Sequence, residues 1–240
     1  MQQNKLSNNN LPADQLIISS CRISNGVAYR NNEPVFENRE DDLPGFLLSF
    51  YRYLDLQYPK FHKMDNLSKL GWLAVELLLI KDFQPGKYQP EDIGIVFANS
   101  SASLDTDIKF NESVKTFASP SLFVYTLPNI MIGEICIRNN FKGENAFFVF
   151  DSFDLSFVKD YVSCLFSNNK ITACICGWIE FLDDRYEAFL FLVENIVGIQ
   201  PANAVAPPTA RAVNFSYTKT VEPVLFTVEN LNNLYRSEHG

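Results

Sequence analysis

The run Ala146–Phe150, AFFVF, most restricts what this chain can fold into. Five apolar residues between the turn signals at Gly143 and Ser152 are too few for a helix and form a strand. Successive side chains on a strand point to opposite faces, so Phe147, Phe148, Val149 and Phe150 make this one apolar on both. Such a strand is either central in a sheet or an edge that another chain must cover. The residues leading into it form a connected series from Ala118. A loop carries Ser119-Pro120, and a helix begins at Pro128-Asn129 bearing Ile130, Met131, Ile132, Ile135, Cys136 and Ile137. Gly143 closes the turn before the strand. Asp151, Ser152 or Asp154 can cap the helix that follows, over 154–166.

Composition narrows the function classes. The 240 residues are 47% apolar and include 21 Phe, ample for a packed core. A net charge of -8 argues against nucleic acid or an anionic membrane as partner, since both require a basic face. The first residues, MQQNKLSNNNLPADQ, lack the apolar core of a signal peptide, and no apolar run approaches the length of a membrane span. The expected location is therefore cytoplasmic, with Cys21, Cys136, Cys164, Cys174 and Cys176 as reduced thiols. Cys174 and Cys176 share one strand face, but no second cysteine or histidine cluster completes a metal site. They read as buried strand residues, with no metal and no cofactor.

In chain order, residues 1–14 are Asn-rich and expected to be disordered. Residues 16–24 form a strand ending at Asn25-Gly26, and 29–42 a surface loop. Pro44 opens a helix with Phe46, Leu47, Phe50, Tyr51 and Leu54 on one side. Residues 67–80 are apolar nearly all round, as in a helix packed on most sides, with Asp65 or Asn66 as cap. His62, between Lys60 and Lys63, reads as a surface residue. Residues 93–99 form a buried central strand, and 100–115 a solvated loop. Residues 170–179 and 186–193 form a hairpin turning at 182–185. Residues 15–198 make one domain, and 199–240 an extended tail packing on it or on a partner.

The series Ser119-Pro120 with Phe123, Asn129, Gly143 and Ser152, spaced nine, fourteen and nine residues from Pro120 onward, resembles the β-ketoacyl synthase family of the thiolase fold. The Lys63-Met64-Asp65 phrase before a helix adds to the likeness. Glu144 departs from it, standing where proline is usual. The resemblance implies an α/β thiolase-like half: a mixed five-stranded sheet with helices on both faces. It places Ser152 at the family's nucleophilic cysteine, which sits at a helix N-terminus where the thiolate is favoured. It also implies two catalytic histidines from the second half of a duplicated fold, whereas here only His239 lies beyond Ser152.

A serine nucleophile needs an adjacent base, and neither His62 nor His239 is placed by sequence to serve. The resemblance thus implies no catalytic residue. It points to a shortened chain-length-factor-like subunit, as found beside aryl polyene and flexirubin-type synthases. Such a subunit pairs with a full-length ketosynthase and meets acyl carrier protein through the complex. The resemblance puts Phe147, Phe148, Val149 and Phe150 across the dimer axis. It places Phe123, Tyr125, Leu127 and Asn129 toward the partner's acyl tunnel. A stand-alone acyl hydrolase or acyltransferase using Ser152, and a homodimeric acyl-binding module, are the alternative expectations.

Overall fold

The computed structural model describes residues 15–80, 83–84, 86–196 and 222–236. The expectation of disorder over 1–14, His239, and the tail over 199–221 fall outside those residues.

β1 (Gln15–Ser24) turns through Asn25-Gly26 into β2 (Val27–Arg30), which pairs in turn with β3 (Glu33–Glu37). The surface loop expected at 29–42 is therefore largely a hairpin. Its turn is Asn31-Asn32, both left-handed at φ 49 and 64, a conformation asparagine tolerates because its short side chain bonds locally. Asn31 Oδ1 accepts from the Ser20 amide at 2.8 Å, which fixes the turn against β1.

α1 (Leu43–Tyr53) starts where Asp42 accepts from the Gly45 amide, with Pro44 in its first turn. α2 (Asn66–Leu79) is capped by Asp65, whose carboxylate accepts from Ser68 N at 3.0 Å, and it is buried on nearly its whole circumference. A short 3-10 turn, Pro59–Lys63, joins the two helices. β4 (Ile93–Asn99) is buried at every residue.

The expected loop at 100–115 is a correction: it contains helix α3 (Leu104–Val114). Only Thr106 of α3 is buried, so its apolar residues point away from the core and leave no core-facing stripe to read. α4 (Pro120–Val124) and α5 (Ile130–Asn139) follow, α5 ending on left-handed Asn140. Then come β5 (Asn145–Val149), α6 (Leu155–Ser167), and the β6 (Ala173–Leu182)–β7 (Arg185–Asn195) hairpin with Asp183 at φ 56. β8 (Val224–Leu225) and α7 (Val228–Arg236) lie near the C-terminus.

The strands form one sheet in the order β3-β2-β1-β7-β6-β4-β5, with β8 also paired to β1. β4 is parallel to both β5 and β6, and β7 is antiparallel to β6 and β1. The five strands expected from sequence are β1, β4, β5, β6 and β7, and they make one continuous run of the sheet, from β1 to the terminal β5. The sheet has eight strands rather than five because the β2–β3 hairpin and β8 extend it beyond β1.

Helices cover both faces. α1, α2 and α5 pack on one through Phe46, Phe50, Trp72 and Met131 against Ile23, Phe97, Ile175 and Leu190. α6 and α7 pack on the other through Val158, Val162, Phe166 and Leu231 against Val96, Cys176, Phe189 and Phe191. Each fully buried phenylalanine contributes roughly 2–3 kcal/mol of transfer free energy. Gly71 of α2 lets α5 approach closely, since a Cβ there would overlap the Met131 sulfur at 1.9 Å. Cys174 and Cys176 are wholly buried against α6, where burial raises the Cys174 thiol well above its ordinary range.

Candidate functional site

The segment from Ser119 to Ser152 gathers at one end of the sheet. β5 is the terminal strand there, paired only with β4, from Ile95↔Asn145 to Asn99↔Val149. Phe150 N continues the ladder to Asn99 O at 2.9 Å. Among the described residues no strand meets the other edge of β5, so it is not a central strand of this sheet. Phe147 packs into the core beneath α1, α2 and α5, and Phe148 into the core beneath α6. Phe148 meets Phe157 at 4.9 Å and Tyr161 at 5.0 Å, and Phe150 meets Phe157 at 4.9 Å. Val149 remains 53% exposed.

Gly143 sets where β5 begins. A Cβ at that position would lie 2.4 Å from Ile93 O and 2.7 Å from Glu91 O, so only glycine lets the turn press against the start of β4. Glu144, in the place of the family's proline, is exposed, and its carbonyl accepts from Ile95 N at 3.0 Å.

Ser119 and Pro120 work as a helix start. The Ser119 hydroxyl accepts from Leu122 N and Pro120 opens α4. Ser103 Oγ donates to Thr126 O at 2.6 Å, tying the end of α4 to the exit of β4. Of the four residues expected at a partner tunnel, Phe123 and Leu127 project outward at 60% and 57% exposure. Tyr125 turns inward, its hydroxyl donating to Glu134 at 3.5 Å. Burial and the Glu134 charge push its phenol up to about 12. Lys60 neutralises that carboxylate with two 2.9 Å contacts, and Tyr58 donates to it at 3.3 Å. Asn129 occupies the cap position of α5, is exposed, and caps with no side-chain hydrogen bond.

Sequence reasoning missed the role of α3 beside this loop. Leu104, Ile108, Val114, Phe117, Phe123, Val124 and Leu127 are all exposed, and the Phe110 and Phe123 rings meet at 5.4 Å. Exposed apolar residues concentrated in this way mark a surface that binds something. The i, i+4 pair Leu104 and Ile108 was the available signal.

Ser152 stands on the loop between β5 and α6. It is exposed and makes no hydrogen bond among the described residues. The helix cap is Asp154, which accepts from Phe157 N at 2.9 Å. His62 belongs to the helical layer on the opposite face of the sheet, edge-on to Tyr51 and Phe61. Next to Ser152, Phe153 stacks on Trp178 at 5.5 Å. Trp178 lines a cleft of about 290 Å³ with Ser100, Glu180, Arg185 and Glu187. Glu180 accepts from both the amide (2.7 Å) and hydroxyl (2.5 Å) of Ser100, so the loop leaving β4 is held by a carboxylate of the chain itself. Among the described residues no three His, Cys, Asp or Glu side chains converge as for a metal. No described helix is long and apolar enough to cross a membrane.

This architecture is shared with solved ketosynthase structures. The ishigamide ketosynthase/chain length factor superposes with a TM-score of 0.57 at 16% identity, over 77% of this chain and 63% of that one. A type II polyketide synthase acyl-carrier protein in complex with its ketosynthase bound to the hexaketide gives 0.53 at 14%, over 77% and 63%. A ketosynthase in complex with its chain length factor from Xenorhabdus doucetiae gives 0.51 at 12%, over 76% and 79%. No protein-family model matches the chain, and no curated protein matches its sequence. The chain has the thiolase-type fold of the ketosynthases. It spans 63% of the length of the first two matched chains and is similar in length to the Xenorhabdus one.

Proposed function

We propose that this protein is a non-catalytic ketosynthase-like subunit of the chain-length-factor type. It pairs with an active ketosynthase in type II fatty acid- or polyketide-type biosynthesis, of the aryl polyene class, and receives substrate carried on acyl carrier protein through that complex. The observation that carries this reading is the β5 edge. Among the described residues its outer edge meets no strand. Its side chains are apolar on both faces, it is flanked by the exposed α3–α4 surface, and such an edge invites association with another strand. Among the described residues Ser152, at the end of the same strand, makes no hydrogen bond to a base, which supports a contribution of shape. Phe123 and Leu127 supply bulk toward the partner's acyl tunnel. Tyr125, braced on Glu134, and Asn129, opening α5, hold the loop that carries them.

Co-expression with a full-length ketosynthase from the same host tests the proposal. The expected result is one-to-one co-purification, with no thioester turnover by this chain alone and none lost on Ser152→Ala. A robust lone monomer that ignores the ketosynthase, or turnover that depends on Ser152, would contradict it.

A further inference from the structure

We infer that the β5 edge is built to accept a partner strand with basic flanks and to disfavour a second copy of this chain. The inference rests on the proposed pairing through β5 and names the chemistry of what pairs there. The apolar run Ala146–Phe150 is bounded by exposed Glu144 on one side and exposed Asp151 on the other, with Asp154 beyond. Lys142, two residues before Glu144, already faces Glu91 at 3.8 Å, so that end also carries net negative charge.

Two copies joined symmetrically along β5 run antiparallel, with residues of the same face opposite one another. Centred on Phe147 or on Phe148, such a pair sets Asp151 opposite residue 143 or 145, beside Glu144 in either register. Both ends of the joint then bring acid toward acid, at a separation comparable to the Debye length of about 8 Å at physiological ionic strength. The apolar side chains would drive self-pairing, and the acidic flanks oppose it. The net charge of -8 on each chain adds to the opposition. A partner strand with Lys or Arg at its ends keeps the apolar contact and turns both repulsions into attractions, which is how discrimination against a wrong partner is achieved.

The test is self-association by sedimentation velocity at low salt, for wild type, Glu144→Lys, Asp151→Lys and the double reversal, each checked for folding by circular dichroism. Either single reversal should tighten self-association about tenfold, the size expected of two exposed ion pairs formed by symmetry. The double reversal should return it to the wild-type level, and Val149→Lys on the Glu144→Lys background should abolish it. Wild-type self-association as tight as that of the single reversals, or tightening that survives Val149→Lys, would overturn the inference. Capture of a co-expressed ketosynthase is read separately with the double reversal, which should weaken it. If wild type captures no ketosynthase while the single reversals still dimerise through β5, the functional reading fails and the inference stands.

Discussion

Phe147 and Phe148 are adjacent in sequence and belong to different cores, one beneath α1, α2 and α5 and the other beneath α6. The terminal strand of the sheet is thereby anchored on both faces while its outer edge meets no strand among the described residues. An edge held this firmly is preorganised for strand addition, because little ordering remains to be done when a partner arrives.

The two glycines around α5 should respond in opposite directions. Gly143→Ala places a methyl 2.4 Å from Ile93 O and should cost about 2–4 kcal/mol of unfolding free energy, as strain against fixed backbone does. Gly133 has nothing within 4 Å of its would-be Cβ, so Gly133→Ala should stabilise by about 0.5–1 kcal/mol. Urea unfolding of both variants checks the pair.

Arg30 is buried, donating from Nε to Leu77 O (3.2 Å) and from Nη2 to Ile80 O (2.5 Å), where α2 ends. A cation there satisfies orphan carbonyls and complements the helix dipole. Arg30→Met should destabilise by roughly 2–4 kcal/mol. Arg30→Lys should recover only part of that, since an ammonium lacks the fork that reaches both oxygens. Chemical denaturation of the two variants measures the difference.

Asp65 caps α2 and also accepts from Thr106 Oγ1 at 2.8 Å, and desolvation raises its carboxyl above the ordinary 3.8 despite these bonds. A folded value above the unfolded one means the group favours the fold most below 3.8. That contribution is lost as pH rises through the raised value. Asp65→Asn keeps a good cap and removes the titration. The stability of wild type relative to the variant should therefore fall between acid and neutral pH. Thermal melts at matched ionic strength read this out, and a difference that does not change with pH would contradict the assignment.

In a spectrophotometric titration Tyr125 should ionise later than an exposed phenol, and Tyr88, buried against Glu194, later still. Burial foremost, then the Glu134 charge, raise Tyr125 from 10.0 to about 12, so the stability it contributes is lost as pH climbs through that window. Glu134→Gln should move its midpoint down while leaving it above 10, because burial remains.

The five strands expected from sequence were legible because each is a short apolar or β-branched run bounded by Asn, Asp or Gly. α1 was legible from its periodicity and Pro44, and α2 from its nearly all-apolar circumference with Asp65 or Asn66 as cap. The β2–β3 hairpin was not, because its strands are polar and its turn depends on two asparagines entering the left-handed region. α3 was hidden because its apolar residues face solvent, and periodicity reveals a helix mainly when a core collects one face. At the site, the spacing from Pro120 to Ser152 located the right segment. It did not reveal that Tyr125 turns inward to Glu134, that Asp154 rather than Ser152 caps α6, or that Glu180 holds Ser100. The first and last depend on contacts between residues 9 and 80 positions apart.

Hydrogen–deuterium exchange of this chain, alone and bound to its ketosynthase, tests the pairing most directly. Amides on the free side of β5, within 145–150, should exchange readily alone and become strongly protected in the complex, together with peptides over 104–127. Protection confined to other surfaces, with the 145–150 peptide exchanging equally fast in both states, would contradict the account.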